Sequence, residues 1–263
     1  MSKNVYVVAE QRDGKVMKVS YELIGKARDL ADALEQDVVA VLMGSNIADA
    51  ASELAKAGAD KVIYVDDAML AEYVKSMNYT HIELMPVMEH PLDESWGYQA
   101  IGFFSPTSRY GSADDLKYMV DIFHRNGVGV ILDFAPVHFA VNADGLANFD
   151  GSALYEYPNS DVGYNQWGSK NFMHSRGEVR SYLQSSVRYW LKEFHMDGIR
   201  FDAISNIIYW QGDTNRGVNG GAVEFIKYMN EGIKKEFPDV MMIAEDSTSY
   251  KDVTRPVNEG GLG

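Results

Sequence analysis

The stretch MDGIRFDAIS, residues 196–205, carries a cation and a carboxylate in what otherwise reads as a buried strand. Arg200 and Asp202 are two positions apart, and alternate residues of a strand share a face. An arginine beside an aspartate lowers the acid's pKa and keeps it ionised. An ionised, positioned carboxylate at a strand end that leads into a loop is what a nucleophile requires. The expectation is therefore that Arg200 orients Asp202 and holds it charged.

Working outward, three further apolar runs read as strands. They are THIELMPV (80–87), GVGVILDF (127–134) and VMMIAED (240–246). With GIRFDAI (198–204) they place Asp133, Asp202, Glu245 and Asp246 at C-terminal strand ends. Uncompensated charge in such places is costly, so several acids on one rim point to a site. Glu245 follows VMMIA, where desolvation is expected to raise its pKa. One ionised and one protonated carboxylate about 5 Å apart is the arrangement of a retaining glycosidase. Helical periodicity lies between these strands. Ser112 with Asp115 opens one helix, carrying Leu116, Val120 and Phe123. Ser175 with Glu178 reads as the capping box of a second, whose inner face is Val179, Leu183, Val187, Trp190, Leu191 and Phe194. A third runs from Ala222 to Phe237 and stops before Pro238. The loops after the strands are long and rich in aromatic and polar residues, and the stretches into the strands are short. That asymmetry suits a (β/α) barrel.

The first part of the chain has a different texture. NVYVVAE (4–10), DVVAVLMG (37–44) and KVIYVDD (61–67) read as strands. A helix with Leu23, Ala27, Leu30 and Leu34 in one stripe falls between the first two. A second, preceded by Ser45, presents Ile47, Ala51 and Leu54 and ends at Gly58. The alternation is a βαβαβ parallel-sheet piece. No Gly-x-Gly-x-x-Gly follows its first strand, so a dinucleotide crevice has no support. The fold class expected is α/β: a partial (β/α) barrel preceded by the βαβαβ piece. The pieces divide at 1–70 and 71–263, where composition shifts near Ala68–Tyr73. Their seven strands either join one composite sheet or form two partial domains.

Composition removes whole classes of function. The 263 residues carry a net charge of −14, which argues against nucleic acid or an anionic membrane surface as partner. No cysteine is present, so disulfides, Cys-ligated zinc and thiol catalysis are excluded. No metal-binding spacing and no Gly-x-Ser-x-Gly elbow occurs, and no cofactor is expected. The apolar run at the amino terminus is too short for a signal or anchor, and a cytoplasmic location is expected.

Two resemblances sharpen this reading. DFAPVH (133–138), GIRFDAI (198–204) and AEDS (244–247) resemble signature regions of the α-amylase superfamily. ELMPVMEHPLDESWGYQAIGFFSPTSRYG (83–111), HFAVNADGLANFDGSALYEY (138–157) and AEDSTSYKDVTRP (244–256) resemble the bacterial 1,4-α-glucan branching enzymes. The resemblance covers about 70–263 and implies an amylase-type barrel acting on α-glucan in glycogen biosynthesis. It implies Asp202 as nucleophile, Glu245 as general acid/base and Arg200 as orienting group. Asp133 and His138 would line the sugar subsite, with Tyr98 as stacking platform and Trp96 and Asn206 adding contacts. The reaction implied is retaining cleavage of an α-1,4 link and transfer to a 6-hydroxyl. The family's fourth signature region is not found before the chain ends, so weak or absent activity is expected. NVYVVAEQRDGKVMKVSYELIGKARDLADAL, DVVAVLMGS and AGADKVIYVDDAML resemble the amino-terminal part of electron transfer flavoprotein α subunits. That implies, as the alternative reading, a module that docks to a flavoprotein β subunit. It transfers no FAD-binding residue, since FAD is held mainly by a part of that family this stretch does not resemble. A non-catalytic glucan binder using Tyr98, Trp96 and His138 is a third reading.

Overall fold

In the computed structural model, residues 4–12, 14–44, 47–65 and 67–263 are described. Ser45, expected to precede a helix, and Asp66, at the end of the third expected strand, lie outside them. Contacts divide the chain into two units: Met1–Thr80 with Ser108–Val128, and His81–Thr107 with Gly129–Gly263. The compositional junction near residue 70 therefore differs from the division in space. The helix Asp67–Ser76 packs on the helix Ala113–Arg125, so both belong to the first unit.

The first unit contains a parallel sheet of Val5–Ala9, Val38–Met43 and Lys61–Val65, with Val38–Met43 in the middle. Two helices, Lys18–Leu34 and Ala48–Lys56, follow the first two strands, as the alternating pattern predicts. Ile24, Ala27 and Ala31 of the first and Ala50 and Leu54 of the second cluster with Val7, Ala40 and Leu42. The expected stripe is thus corrected. Leu23, Leu30 and Leu34 are exposed, and the buried stripe is the adjacent one. Small Ala27 and Ala31 allow a helix to lie close to a sheet, where a leucine face would hold it away. At Ala113–Arg125 the capping box is present. The Asp115 N–H donates to Ser112 Oγ at 3.2 Å, and the Ser112 N–H donates to Asp115 Oδ2 at 2.8 Å. The hydroxyl and amide of Ser112 hold the Asp115 carboxyl below its usual range.

The second unit contains a four-stranded parallel sheet in the order Met241–Ala244, Gly198–Phe201, Gly129–Phe134, His81–Leu84. Each strand lies beside the next of the four in the chain. That singly wound order builds a (β/α)-barrel wall and differs from the reversal of a doubly wound sheet. The three-stranded and four-stranded sheets are separate, so the described strands do not make one composite sheet. The central strands are apolar and almost wholly buried, as in parallel sheets covered on both faces. The two edge strands are partly open. Helix Gly177–Glu193 buries Val179, Leu183, Val187, Trp190 and Leu191, the expected inner face. Its capping is corrected. The cap residue is Arg176, with no side-chain cap hydrogen bond, so the Ser175–Glu178 box does not form. Phe103, from the strand Gly102–Pro106, sits edge-on to Phe134, Phe172 and Tyr182. Its carbonyl accepts from Ser186 Oγ (2.6 Å) and Trp190 Nε1 (2.9 Å), which ties that strand to the helix. Helix Gly220–Glu236 ends just before Pro238, as expected. Among the described residues no helix is long and apolar enough to cross a membrane.

Candidate active site

Strand register brings the acids together. Arg200 pairs with Asp133 on one side and Ile243 on the other, and Phe201 pairs with Phe134 and Ala244. Asp202 and Glu245 therefore each stand one residue beyond a paired position, on neighbouring strands about 4.8 Å apart. Main-chain bonds carry the pairing past the strand ends. Asp202 N–H donates to the Phe134 carbonyl (2.9 Å) and Glu245 N–H to that of Phe201 (2.9 Å).

Arg200 is the hub. Its Nη1 donates to Asp133 Oδ1 at 2.8 Å and Oδ2 at 2.7 Å, and to Asp202 Oδ1 at 2.8 Å. Its Nη2 stands 4.0 Å from Glu245 Oε2. One guanidinium thus reaches three carboxylates. Burial disfavours the cation, but the bonds to Asp133 and the charges of Asp133 and Asp202 outweigh it, and the Arg200 pKa is raised. Asp133 is only 2% exposed. It also accepts from the Tyr98 hydroxyl at 2.7 Å, so this buried acid is bonded on both oxygens. Burial, then that bond, pushes the Tyr98 phenol well above its usual pKa.

The electrostatic expectation for Asp202 is reversed. Its pKa is raised from 3.8 to about 6. Burial is the main cause and the Asp133 charge adds to it. Arg200 opposes both without overcoming them. Glu245 is partly buried, its side chain being 39% exposed. A backbone feature holds its carboxyl. Ala203 has φ 49°, a left-handed conformation costly for any residue with a Cβ. That turn aims the Ala203 N–H at Glu245 Oε2, 2.8 Å away, while the Ile204 N–H takes the Glu245 carbonyl (3.0 Å).

His138 is buried, and its Nε2–H donates to the Tyr98 carbonyl at 3.0 Å. Burial lowers its pKa to about 4, so the ring is neutral at physiological pH. His138 thus fixes the main chain at Tyr98, while Tyr98 holds Asp133. Trp96 is exposed at the end of the turn Asp93–Ser95. Gly97 beside it has φ +89°, and a Cβ there would lie 2.2 Å from the Pro86 carbonyl oxygen. Only glycine lets this loop carry Tyr98 inward. Asn206 lies against the Gly212 turn, where a Cβ on Gly212 would come within 2.6 Å of its Oδ1. Asp246 accepts from the Thr248 hydroxyl at 2.9 Å and closes its own loop. Asp133, His138, Tyr98, Arg200, Asp202 and Glu245 thus form one connected group. Trp167 is not marked by any motif in the sequence, yet its ring centroid is 5.4 Å from that of His138. Among the described residues no group of acids and histidines is arranged to hold a metal ion.

Parallel strands in sequential order with carboxylates at one end form part of a (β/α)-barrel wall, and the family comparison agrees. The model of the α-amylase catalytic domain matches residues 70–167 and 149–261, and the chain belongs to that family. The 1,4-alpha-glucan branching enzyme GlgB of Fusobacterium nucleatum is 53% identical over 195 residues, 74% of this chain and 32% of that protein. The enzyme of the same name from Bacillus subtilis is 49% identical over 74% of this chain and 31% of its own length. That from Methylococcus capsulatus is 48% identical over 74% and 28%. The chain thus spans about a third of the length of these relatives. An Anoxybacillus α-amylase structure superposes with a TM-score of 0.56 at 22% identity, covering 69% of this chain and 39% of that one. The α-amylase of Geobacillus thermoleovorans gives 0.54 at 22%, covering 69% and 40%. The electron transfer flavoprotein domain model matches residues 5–81.

Proposed function

We propose that the second unit carries the nucleophile and acid/base of a retaining α-1,4-glucan transfer of the branching type. Glu245 gives a proton to the glycosidic oxygen while the Asp202 carboxylate attacks C1 and the C1–O bond breaks. The product is a glycosyl–Asp202 ester and a released chain. The 6-hydroxyl of an acceptor then loses its proton to Glu245 and attacks C1, freeing Asp202. Two inversions give net retention. Arg200 orients Asp202, and Asp133 and Tyr98 hold Arg200 and the sugar pocket. The observation that carries the reading is the shared guanidinium, within hydrogen-bond reach of Asp202 and 4.0 Å from Glu245. Asp202 and Glu245 also follow neighbouring paired strands, which supports the short carboxyl separation of about 5 Å that a retaining mechanism uses. The partner is an α-glucan and the location cytoplasmic. Incubation with amylose, followed by iodine absorbance and debranching, tests this. Branching lost in Asp202→Asn supports it; branching unchanged in Asp202→Asn refutes the nucleophile.

The match of residues 5–81 to the electron transfer flavoprotein domain favours a second reading for the first unit alone, a docking module for a flavoprotein β subunit. Co-purification of such a subunit, or flavin absorbance of the purified protein, supports it. A colourless protein that does not bind the subunit refutes it.

A further inference from the structure

We infer that Trp167 is a sugar platform of this site, holding the pyranose next to the one held by Tyr98 and His138. The inference rests on the glucan reading above. Trp167 is 44% exposed, and its indole is inclined 43° to the His138 imidazole. Single exposed aromatics are common on proteins, so exposure alone says little. What sets this one apart is how firmly it is held. Its main-chain N–H donates to Asn165 Oδ1 at 3.0 Å, and the Ser169 main-chain N–H donates to the same oxygen at 3.0 Å. Gly168, with φ +78°, closes the turn through its own N–H to the Asn165 carbonyl at 3.2 Å. The Trp167 carbonyl accepts from Gln99 Nε2 at 2.9 Å. Gln99 follows Tyr98, so the loop that delivers the Asp133 ligand also fixes the turn that delivers the indole. The ring lies in tilted contact with His138, its centroid 5.4 Å away, and much of the residue stays open to solvent. The C–H face of a pyranose is apolar and packs on such a surface, and a rigid aromatic loses little side-chain entropy on binding. A residue needed only to pack on His138 requires that ring contact and no anchoring to the Tyr98 loop.

The test is calorimetric titration of the full chain with maltohexaose, in an Asp202→Asn background that stops turnover. Trp167→Ala is expected to weaken binding by about tenfold, the size usual for truncating a packed aromatic anchor. Trp167→Phe, which keeps an aromatic face, is expected to retain most of the affinity. Unchanged affinity in Trp167→Ala overturns this inference and leaves the glucan reading standing. Equal loss in both variants with a lowered unfolding midpoint also overturns it, because it marks a packing role. Absence of any maltohexaose binding in the Asp202→Asn protein overturns the glucan reading, and this inference with it.

Discussion

Replacing Asp202 by asparagine is expected to stabilise the protein above neutral pH while removing its chemistry. In the folded chain the Asp202 carboxyl has a pKa of about 6, against 3.8 for a solvated aspartate. A pKa raised by one corresponds to about 1.4 kcal/mol, so the rise seen here amounts to about 3 kcal/mol. Its direction follows from proton counts. Between the two values the folded state keeps a proton that the unfolded chain has released, so stability falls as pH rises. Above pH 6 the whole cost of ionising a crowded, buried carboxylate is in place. Asparagine keeps the oxygen that accepts from Arg200 and carries no charge toward Asp133. Since 19% of the side chain meets solvent, screening reduces the expected gain to about 2 kcal/mol. The assay is urea unfolding of both proteins at about pH 4 and about pH 8, followed by tryptophan fluorescence. Trp96, Trp167, Trp190 and Trp210 all lie in the second unit, so the signal reports on the unit that holds the site. The expected result is a variant more stable by about 2 kcal/mol near pH 8, with the difference nearly gone near pH 4. A variant that is less stable at the higher pH, or shows the same difference at both values, refutes the reasoning.

Arg200→Met leaves Asp133 buried with the Tyr98 hydroxyl as its remaining partner at this site. It is expected to cost about 3–5 kcal/mol in the same assay and to abolish branching. Gly97→Ala forces a Cβ into the Pro86 carbonyl at a positive φ, so maltohexaose binding and unfolding midpoint should both fall. Ser112→Ala is expected to cost about 1 kcal/mol by circular dichroism, and Ser175→Ala much less, because only Ser112 caps a helix. The acid limb of any branching rate, measured against pH, should fall at about 6, where the proposed nucleophile Asp202 gains its proton.

Much of the second unit is legible in its sequence because the signals are local and strong. Apolar runs mark four strands, three of them with acids at their C-terminal ends, and spacing alone places Arg200 and Asp202 on one face. What spacing does not carry is the neighbour across the sheet. Asp133, 67 positions before Arg200, takes two bonds from it. The Asp133 charge also helps lift the acid that Arg200 alone would depress. The same limit explains the first helix. Helical periodicity identifies a stripe, but Leu23 and Leu30 lie one position before the buried Ile24 and Ala31. Hydrophobicity alone favours the leucines, whereas close approach to the sheet favours the alanines. At Ser175 the error is one residue of helix start, below what a cap motif resolves. Trp167 carries no signal in the chain because the turn that aims it is made by Asn165, Gly168 and a distant Gln99.

The left-handed Ala203 joins the two proposed reacting acids through a peptide group, and a peptide group is not encoded by any one side chain. Every residue type but proline supplies the same donor at this position. Drift in the residue types around this turn can alter how comfortable it is, but cannot delete the contact. Selection acting here sees backbone shape, so the coupling of residue 202 to residue 245 is inherited as a curve in the chain.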